Sequence, residues 1–561
     1  MTKPKAAGET DLFICHARED NEAIVNPLCR ALDNYKVTYW LGELDILPAD
    51  NITDKINEGL NESRYFLAVM SPAFLKKPYP QGELHSALNR QMTRGESRII
   101  PLLAGSDKEV REMIHAFPLL SNVAYISWSG DPQAVTKALL PLLRPDAEIV
   151  DRICFISSEY PPRVSGGLGV HVQHLTKALA EHLNVDVILP SSEAVDYLSQ
   201  DPRVHPYGLQ HAPASYDDPI SWLRFADSAA QKIIRLARSY PFDILHCHDW
   251  VTVLAGLKCR WTLEIPLVFH LHLPNRSPLC ASVENLGLIF ADLVTVNSDA
   301  MLKELRDRSL PIRQTEVIRN GVDSELFKPA EDWPLDDGYI LFVGRLVEQK
   351  GLEYLLRAMY YVREKFPEVP LKIVGEGPYR EWLERLSSNL MLSPQVEFVG
   401  WKVGEDLAIL YQRARVVVVP SIYEPFGMTA LEALACQRPV LASRVGGLSE
   451  IVTHRVTGFL AEGRDDLDLA QWLMTLLSNA DLRHNMGRAG RDAVLKGGYT
   501  WPEIGKQFLH LYEQLKSKPI DKSVPKKAQD FRDQIISVAS REELVLADEN
   551  NLLDKLFDWM K

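Results

Sequence analysis

Short runs of β-branched and apolar residues alternate with helix-length amphipathic stretches along most of this 561-residue chain. This alternation is typical of βαβ units, in which parallel strands form a sheet and the connecting helices cover both of its faces. Many of the runs are apolar at every position, as in VVVVP at 416–420, and this favours strands that are buried on both faces. The pattern predicts an α/β fold throughout, and at roughly 100–200 residues per domain the length predicts three or four domains.

The candidate strands fall into three blocks. The first block has five of them and ends in the Pro- and Asp-containing segment 141–151, the second has five or six, and the third begins after the turn-rich segment 328–338. The chain ends in a basic, Pro-broken linker and an amphipathic tail that is a candidate docking helix. The predicted divisions are therefore a first domain at 1–147, a second at 148–332, a third at 333–516, and the linker and tail at 517–561.

Charge and composition exclude several classes of protein. Lys and Arg total 62 against 75 Asp and Glu, a net charge of −13 that disfavours nonspecific binding to nucleic acid or to an anionic membrane. No apolar run approaches the roughly 18 residues of a membrane helix, and the N-terminus has no apolar signal core, so we expect a cytoplasmic protein with no integral membrane segment. The seven cysteines include no CxxC pair, which predicts reduced thiols rather than zinc ligands or disulfides.

Two glutamates in the third block are candidate ligand contacts. The segment YEPFGMTALEALAC places Glu424 at a strand-to-helix junction and Glu432 eight residues later, roughly 12 Å away if both lie along one helix. Gly427 lies at the start of that helix, where free N–H groups and the helix dipole favour an anion. An isolated ExxxxxxxE also fits an ordinary solvated helix, so the interpretation depends on its context.

That context is a set of strand ends that share one sheet edge. Arg345 and Lys350 follow the buried strand in LFVGRLVEQKG, at the carboxyl edge where open α/β sheets bind ligands, and two cations there can neutralise a diphosphate. The strings IVGEGP and FVGW add Gly375, Glu376 and Trp401 at further strand-to-glycine turns.

The second block adds a glycine-rich loop and histidines. EYPPRVSGGLGVHV places Gly166 and Gly167 before a helix, which is similar to a phosphate cradle without being a GxGxxG fingerprint. VFHLHLP places His272 at a strand end, and HCHDW contains His246 and His248. HxH is also a metal-ligating spacing, but no third ligand is near in the sequence, so no metal is predicted.

Together these strings resemble the retaining glycosyltransferases of the two-Rossmann (GT-B) type, in particular glycosyltransferase family 4 and its glycogen synthase relatives, over about residues 150–515. The resemblance implies a nucleotide-sugar donor, an unknown acceptor, and transfer with retention that needs no metal. It assigns the donor diphosphate to Arg345 and Lys350, the donor sugar to Glu424, and the ribose hydroxyls to Glu432. It also implies that Gly167 approaches the phosphates from the other domain and that His272 lies by the reacting centre, although a histidine in a polar turn fits the sequence too.

The first block resembles a toll/interleukin-1 receptor (TIR) domain over about residues 10–143, which implies a flavodoxin-like fold. NAD-cleaving members carry a glutamate soon after the third strand, and SPAFLKKPYPQGELHSAL offers Glu83 there, with Tyr79 where the family usually has Trp. A carboxylate suits NAD cleavage because it stabilises positive charge on the ribose. A plain first-turn helix glutamate fits Glu83 as well. Phe13 and Trp40 are candidates for stacking on a base, and core packing explains both equally well.

Three hypotheses follow. In the first, a glycosyltransferase is fused to a TIR domain that cleaves NAD once it assembles into a homo-oligomer, as in a bacterial stress or antiphage effector. In the second, the transferase domains only sense a nucleotide sugar and the TIR domain is the effector. In the third, the TIR domain is a scaffold for an active transferase.

Overall fold

The chain divides into two compact units, residues 1–149 and residues 150–561, which are described separately. The computed structural model describes residues 10–35, 37–41, 62–77, 80–85, 87–88, 99–120, 123–143, 150–161, 164, 166–191, 195–196, 199, 201–210, 219–275, 277–330 and 338–520.

The first unit contains a five-stranded parallel sheet in the order β2-β1-β3-β4-β5. This is the flavodoxin-like order, so the predicted fold is confirmed. All five predicted strands are present, and the second and fifth are shorter than the apolar runs that predict them. The strands are β1 Thr10–Cys15, β2 Tyr39–Leu41, β3 Ser63–Met70, β4 Ile99–Leu103 and β5 Ile126–Ser127.

Three helices with defined bounds cover this sheet: α1 Asn26–Asn34, α2 Asp107–Ala116 and α3 Pro132–Leu143. Residues 80–85 are also helical. Phe13 has no exposed surface and stacks between Trp40 and Phe66, with ring centroids 4.6 and 5.2 Å apart. Phe13 is thus a core residue, which leaves it no face for a base. Tyr79 lies outside the described residues, as do residues 42–50 of the segment WLGELDILPAD (40–50), the loop after the second strand to which the resemblance to TIR domains assigns self-association.

The first sheet of the second unit has eight strands in the order β13-β12-β11-β10-β6-β7-β9-β8, all parallel except that β8 pairs antiparallel with β9. The sequence predicted five or six. Neither β8 nor β9 was foreseen, because β8 has only two residues and β9 carries Pro206 and Gly208 in its middle. The strands are β6 Arg152–Ile156, β7 Asn184–Ser191, β8 Val195–Asp196, β9 Val204–Gln210, β10 Ile244–His248, β11 Leu267–Leu271, β12 Leu293–Val296 and β13 Thr315–Val317.

The second sheet of this unit has six parallel strands in the order β16-β15-β14-β17-β18-β19. Numbered from its own first strand this is 3-2-1-4-5-6, the Rossmann order. Five of the six were predicted, and the sixth is a four-residue edge strand that begins with a glycine. The strands are β14 Tyr339–Val343, β15 Leu371–Val374, β16 Val396–Gly400, β17 Ala414–Val419, β18 Val440–Ser443 and β19 Gly458–Ala461.

Helices cover both faces of these two sheets. They are α4 Gly167–Ala180, α5 Pro219–Ala237, α6 Trp250–Leu263, α7 Pro278–Phe290, α8 Asp299–Asp307, α9 Leu352–Val362, α10 Arg380–Asn389, α11 Gly404–Gln412, α12 Met428–Ala435, α13 Leu448–Ile451, α14 Asp466–Ser478, α15 Ala480–Lys496 and α16 Trp501–Lys516.

The last helix, α16, packs on the half of the unit that contains the eight-stranded sheet. A Cβ on Gly505 would lie 2.9 Å from the Ala178 Cβ in α4, so the two helices touch closely. The Tyr512 hydroxyl lies 2.6 Å from Nδ1 of His246 in β10. Trp501, Phe508 and Tyr512 share one buried cluster with the residues of β6 and β7. A boundary at 332/333, chosen from the sequence, therefore does not separate the two cores.

All seven cysteines lie in the part of the chain that the structure describes, where they are buried and form no disulfide. In the part of the chain that the structure describes, no helix combines the length and the apolar character needed to cross a membrane. The amphipathic tail predicted as a docking helix lies outside the described residues.

Candidate functional site

Glycines end three neighbouring strands of the second sheet and bring their backbones together. Gly344, Gly375 and Gly400 follow or end β14, β15 and β16, and their φ angles are +159°, +136° and +83°. A Cβ on Gly375 would lie 1.9 Å from the Gly344 carbonyl oxygen, so a side chain there is excluded. This edge is the carboxyl end of the sheet, as predicted, and its open backbone admits a ligand closely.

Arg345 and Lys350 both follow β14 at this edge. The Arg345 side chain is exposed, and within residues 338–520 it forms no ion pair. The Lys350 Nζ lies 2.7 Å from Oε2 of Glu424, and the two side chains are 28% and 11% exposed. The structure therefore joins one of the predicted cations to one of the predicted carboxylates.

Glu424 is held on several sides. The Ser421 hydroxyl donates to its Oε2 at 3.0 Å, and the Gly447 amide donates to its backbone carbonyl at 3.0 Å. Gly446 has φ +45°, and a Cβ there would lie 2.1 Å from the same carbonyl. The segment GGLSEIV (446–452) thus holds the loop that carries Glu424 in place.

Glu432 lies in α12, whereas Glu424 precedes this helix, which begins after Gly427 with φ +115°. The helical spacing assumed from the sequence therefore does not apply to this pair. The Tyr411 hydroxyl donates to Glu432 Oε2 at 2.7 Å. Burial raises the pKa of Glu432 to about 7, although the hydrogen bond from Tyr411 favours the carboxylate.

Glu376 and Trp401 lie at the rim of the same edge. Glu376 pairs with Arg380 one turn along the chain, and a Cβ on Gly400 would lie 3.3 Å from the Glu376 carboxylate. Trp401 is 45% exposed.

The glycine-rich loop of the first sheet faces the start of α12. A Cβ on Gly167 would lie 3.9 Å from Cγ of Met428, the first residue of that helix, and one on Gly166 would meet no atom within 4 Å. The two halves of the second unit therefore approach each other at Gly167, and Gly166 has open space beside it for a ligand.

Polar contacts tie the α8 end of the first half to the Glu424 loop. The Ser298 hydroxyl donates to the Pro425 carbonyl at 2.6 Å. The Glu450 carboxylate accepts the Asp299 and Ala300 amides at 3.1 and 2.8 Å and pairs with Arg319 at 3.2 Å. These contacts fix where the loop lies relative to the first sheet.

His272 follows β11, and its Nε2 lies 3.0 Å from Nδ1 of His248 at the end of β10. The His272 amide donates to the Asp249 carboxylate at 2.7 Å. His171 completes the group, with its ring centroid 4.6 Å from that of His272. Burial lowers the pKa of His171 to about 4 and the pKa values of His248 and His272 well below 6.5. All three imidazoles are therefore neutral near pH 7.

Sequence analysis did not single out His171, Tyr411 or Ser421. The sequence could have indicated His171, because it lies four residues after Gly167 and therefore on the same face of the helix. The other two contacts link positions that no local pattern connects.

In the first unit, Glu83 is 7% exposed. Burial raises its pKa to about 7, and a hydrogen bond with the Cys15 thiol partly opposes this shift. Cys15 is the last residue of β1, and its thiol also donates to the Pro80 carbonyl at 3.4 Å. Glu83 therefore lies at the carboxyl end of β1, beside the point where the strand order reverses between β1 and β3.

Three family models match this chain. Residues 323–493 match the model described as "Glycosyl transferases group 1", residues 165–326 match "Glycosyltransferase Family 4", and residues 12–140 match "TIR domain".

Relatives and solved structures match the second unit along almost their whole lengths. The uncharacterized glycosyltransferase MJ1607 of Methanocaldococcus jannaschii is 32% identical over 387 residues, which are 64% of this chain and 98% of the relative. A glycogen synthase of Mycobacterium tuberculosis is 29% identical over 394 residues, covering 64% and 94%. The structure of sucrose-phosphate synthase (tll1590) from Thermosynechococcus elongatus has a TM-score of 0.60 and 29% identity, covering 65% and 99%. Anabaena Alr3699/HepE in complex with UDP-glucose has a TM-score of 0.55 and 22% identity, covering 65% and 99%, and shows the fold alone.

Proposed function

Because this chain belongs to the glycosyltransferases of the GT-B type and carries an N-terminal TIR domain, we propose that its second unit transfers a sugar from a nucleotide-sugar donor with retention of configuration. The observation that carries this proposal is the placement of Arg345, Lys350, Glu424 and Glu432 around one carboxyl sheet edge, together with the approach of Gly167 from the other half to Met428 at the start of α12.

The charges at this edge suit a nucleoside diphosphate. Arg345 is exposed and unpaired within residues 338–520, so it is available to a ligand, and the ion pair with Glu424 holds Lys350 in position. The first amides of α12 add positive potential beside Gly427. The HepE structures are complexes with UDP and with UDP-glucose, which supports the same class of donor for this chain.

In the proposed reaction the bond between the sugar's anomeric carbon and the diphosphate breaks, and an acceptor hydroxyl forms a bond on the same face of the sugar and gives its proton to the departing diphosphate. Negative charge grows on the diphosphate and positive charge on the sugar ring. The cations of Arg345 and Lys350 stabilise the diphosphate, and the Glu424 carboxylate stabilises the sugar ring. Lys350 and Glu424 are already held in place by their ion pair, which limits reorganisation at the moment of reaction. No metal is needed for this step.

His272 is proposed to lie beside the reacting centre. It packs on His171, which is one helical turn from Gly167, and Gly167 in turn faces Met428 beside Gly427. This chain of neighbours connects His272 to the edge that is proposed to bind the sugar donor. Glu432 is proposed to accept hydrogen bonds from the ribose, with Gly375, Glu376 and Trp401 lining the same pocket.

Mass spectrometry of the purified chain incubated with a panel of nucleotide sugars tests this proposal. We expect release of the nucleoside diphosphate from at least one of them, with transfer to added sugar acceptors or to water. Failure of every donor in the panel, with the chain folded, would support the alternative in which this unit only senses a nucleotide sugar.

For the first unit we propose NAD cleavage on assembly, with Glu83 as the catalytic carboxylate. The supporting observation is its position at the β1/β3 switch point, where flavodoxin-like sheets bind ligands. A carboxyl group with a pKa near 7 and 7% exposure is partly protonated and shielded, which fits an activity that is quiet at rest. The whole chain would then be a cytoplasmic bacterial stress or antiphage effector.

Nicotinamide release from NAD tests this second activity, measured on the oligomer with and without nucleotide sugars. Glu83→Gln keeps the size of the side chain and removes its charge, so it should stop release and leave assembly intact. Equal nicotinamide release in the two proteins, or none in either, would leave the TIR domain as a scaffold.

A further inference from the structure

We propose that His171, His248 and His272 form a binding site for a divalent transition-metal ion of the zinc class. One imidazole nitrogen from each of the three lies within 4.8 Å of one from each of the others. The site is built from α4, the end of β10 and the turn after β11, so it lies at the carboxyl edge of the first sheet.

The spacing of these nitrogens suits a small cation. Zinc binds imidazole nitrogens at about 2.0–2.1 Å in tetrahedral geometry, which places the nitrogens about 3.4 Å apart. His248 Nδ1 and His272 Nε2 are already 3.0 Å apart, and the His171 and His272 ring centroids are separated by 4.6 Å. Small ring rotations therefore bring all three nitrogens to ligand distance, and the fourth position is left for water.

Unpartnered nitrogens are the second, independent observation. Nε2 of His171 is buried and has no hydrogen-bond partner among the described residues, and the His171 ring has no exposed surface. Leaving a buried polar atom without a partner costs about 1–3 kcal/mol, so such atoms point to a bound group. Nε2 atoms of His246, His248 and His270 in the same cluster are also unpartnered among the described residues.

The orientation of His171 fits a metal ligand. Its Nδ1 lies 2.8 Å from the Asn320 side-chain oxygen. That carbonyl can only accept, so Nδ1 carries the proton and the Nε2 lone pair is free. Metal-bound histidines commonly donate their other N–H to a carbonyl or carboxylate in this way.

The protonation state agrees with the geometry, because burial keeps these imidazoles neutral near pH 7 and a metal ligand must be neutral. His272 is only partly buried and gives an ion a path to the site. A metal held there would occupy His272, so if His272 acts beside the reacting centre as proposed, the ion would inhibit sugar transfer.

Metal binding is tested directly on the untagged, chelator-treated full chain, without reference to activity. Titration with Co²⁺ should produce visible d–d absorption bands that saturate at one ion per chain, and Zn²⁺ should displace the Co²⁺. Calorimetry with Zn²⁺ gives the affinity. A wild-type chain without saturable bands overturns the proposal, because any ion it then takes up is bound elsewhere.

Substitutions locate the site. His171→Gln and His272→Gln should each weaken Zn²⁺ binding by more than about 100-fold, since even outer hydrogen-bond partners of ligands contribute about 10–100-fold. His174→Gln is the matched control, because His174 lies on the same helix but stacks on Trp501, and it should bind as the wild type does. Asn320→Ala should keep the bands and weaken binding by about 10–100-fold.

His272→Gln changes a partly exposed side chain, so it remains informative if His171→Gln fails to fold, which near-ultraviolet circular dichroism would reveal. Wild-type Zn²⁺ affinity in folded His272→Gln overturns the site. If that variant loses metal binding while the wild type transfers no sugar, the metal site stands and the proposed sugar transfer is rejected. Failure of the metal site and failure of the proposed function therefore give different results.

Discussion

The Nζ atom of Lys350 and the Oε2 atom of Glu424 lie 2.7 Å apart, although the two residues are 74 positions apart in the chain. A cation assigned by resemblance to the diphosphate and a carboxylate assigned to the sugar thus form one partly buried ion pair. Each holds the other in a fixed position, which is the arrangement that electrostatic stabilisation of a transition state requires.

Lys350→Ala should reduce both transfer and stability. The loss of one fixed charge at the reacting diphosphate is expected to lower kcat by roughly 10²–10³. It also leaves the largely buried Glu424 without its cation, which should lower the free energy of unfolding by about 1–2 kcal/mol. Chemical denaturation and steady-state kinetics measure the two effects. Lys372→Ala is the control, because Lys372 pairs with Glu397 at a distance of 3.1 Å through a more exposed carboxylate, and unchanged transfer is expected there.

Arg345→Ala should separate these two effects, because Arg345 is exposed and has no ion pair within residues 338–520. We expect a similar loss of roughly 10²–10³ in kcat with an unchanged free energy of unfolding. Normal turnover in a folded Arg345→Ala protein would contradict its assignment to the diphosphate.

Tyr411→Phe should weaken binding of the sugar donor in a pH-dependent way. The pKa of Glu432 is already raised to about 7 by burial, and loss of the Tyr411 hydroxyl raises it further. If the Glu432 carboxylate binds the ribose, donor affinity in the wild type increases as pH rises through about 7, and in the variant it increases at higher pH. The KM ratio between the two proteins should therefore shrink toward pH ~9, where both carboxyls ionise. Tyr339→Phe, which removes a hydrogen bond to the Leu410 carbonyl, should show no such pH dependence.

Glu83→Gln should stabilise the first unit at alkaline pH. The folded-state pKa of Glu83 is raised to about 7, above the value of about 4.3 in an unfolded chain. Between these values the folded state binds more protons, so its stability falls as pH rises, by an amount of the order of 2–3 kcal/mol. Hydrogen exchange of the β1 amides, compared at about pH 5 and about pH 8, should show this loss in the wild type and not in Glu83→Gln. Glu112→Gln, an exposed helix position, is expected to behave as the wild type.

The chain should form a homo-oligomer of at least two subunits, as the resemblance of its first unit to TIR domains implies. Light scattering at micromolar concentration should give a mass of at least twice 63.4 kDa. A particle of one chain mass, both with and without nucleotide sugar, would count against assembly.

The fold was largely predictable because most strands are continuous apolar runs with a turn at each end. The exceptions have local causes: β8 has two residues, β9 contains a proline and a glycine, and β19 is a four-residue strand at a sheet edge. Short edge strands bury less apolar surface, so their sequences carry a weaker signal.

The site was predictable as a set of motifs, but its contacts were not. The pairing of Glu432 with Tyr411 depends on how α12 packs on α11, which no spacing in the sequence encodes. The histidine group is an intermediate case. HCH and HLH occupy the ends of the adjacent strands β10 and β11, with His248 opposite His270, so strand order alone would have brought them together. The position of His171 in this group could not be predicted without knowing that α4 packs over those strand ends.

α16 follows the second sheet in the chain but packs on the first sheet. The order of segments along the chain therefore does not match their grouping into folded halves. Residues 501–516 are synthesised last, yet they cover part of the apolar cluster built from strands that emerge far earlier. During synthesis on the ribosome, that cluster therefore stays partly exposed until the whole second sheet and then α16 have emerged. A chain cut before residue 501 should therefore fail to protect the core of its earlier half, even though every strand of that half is present.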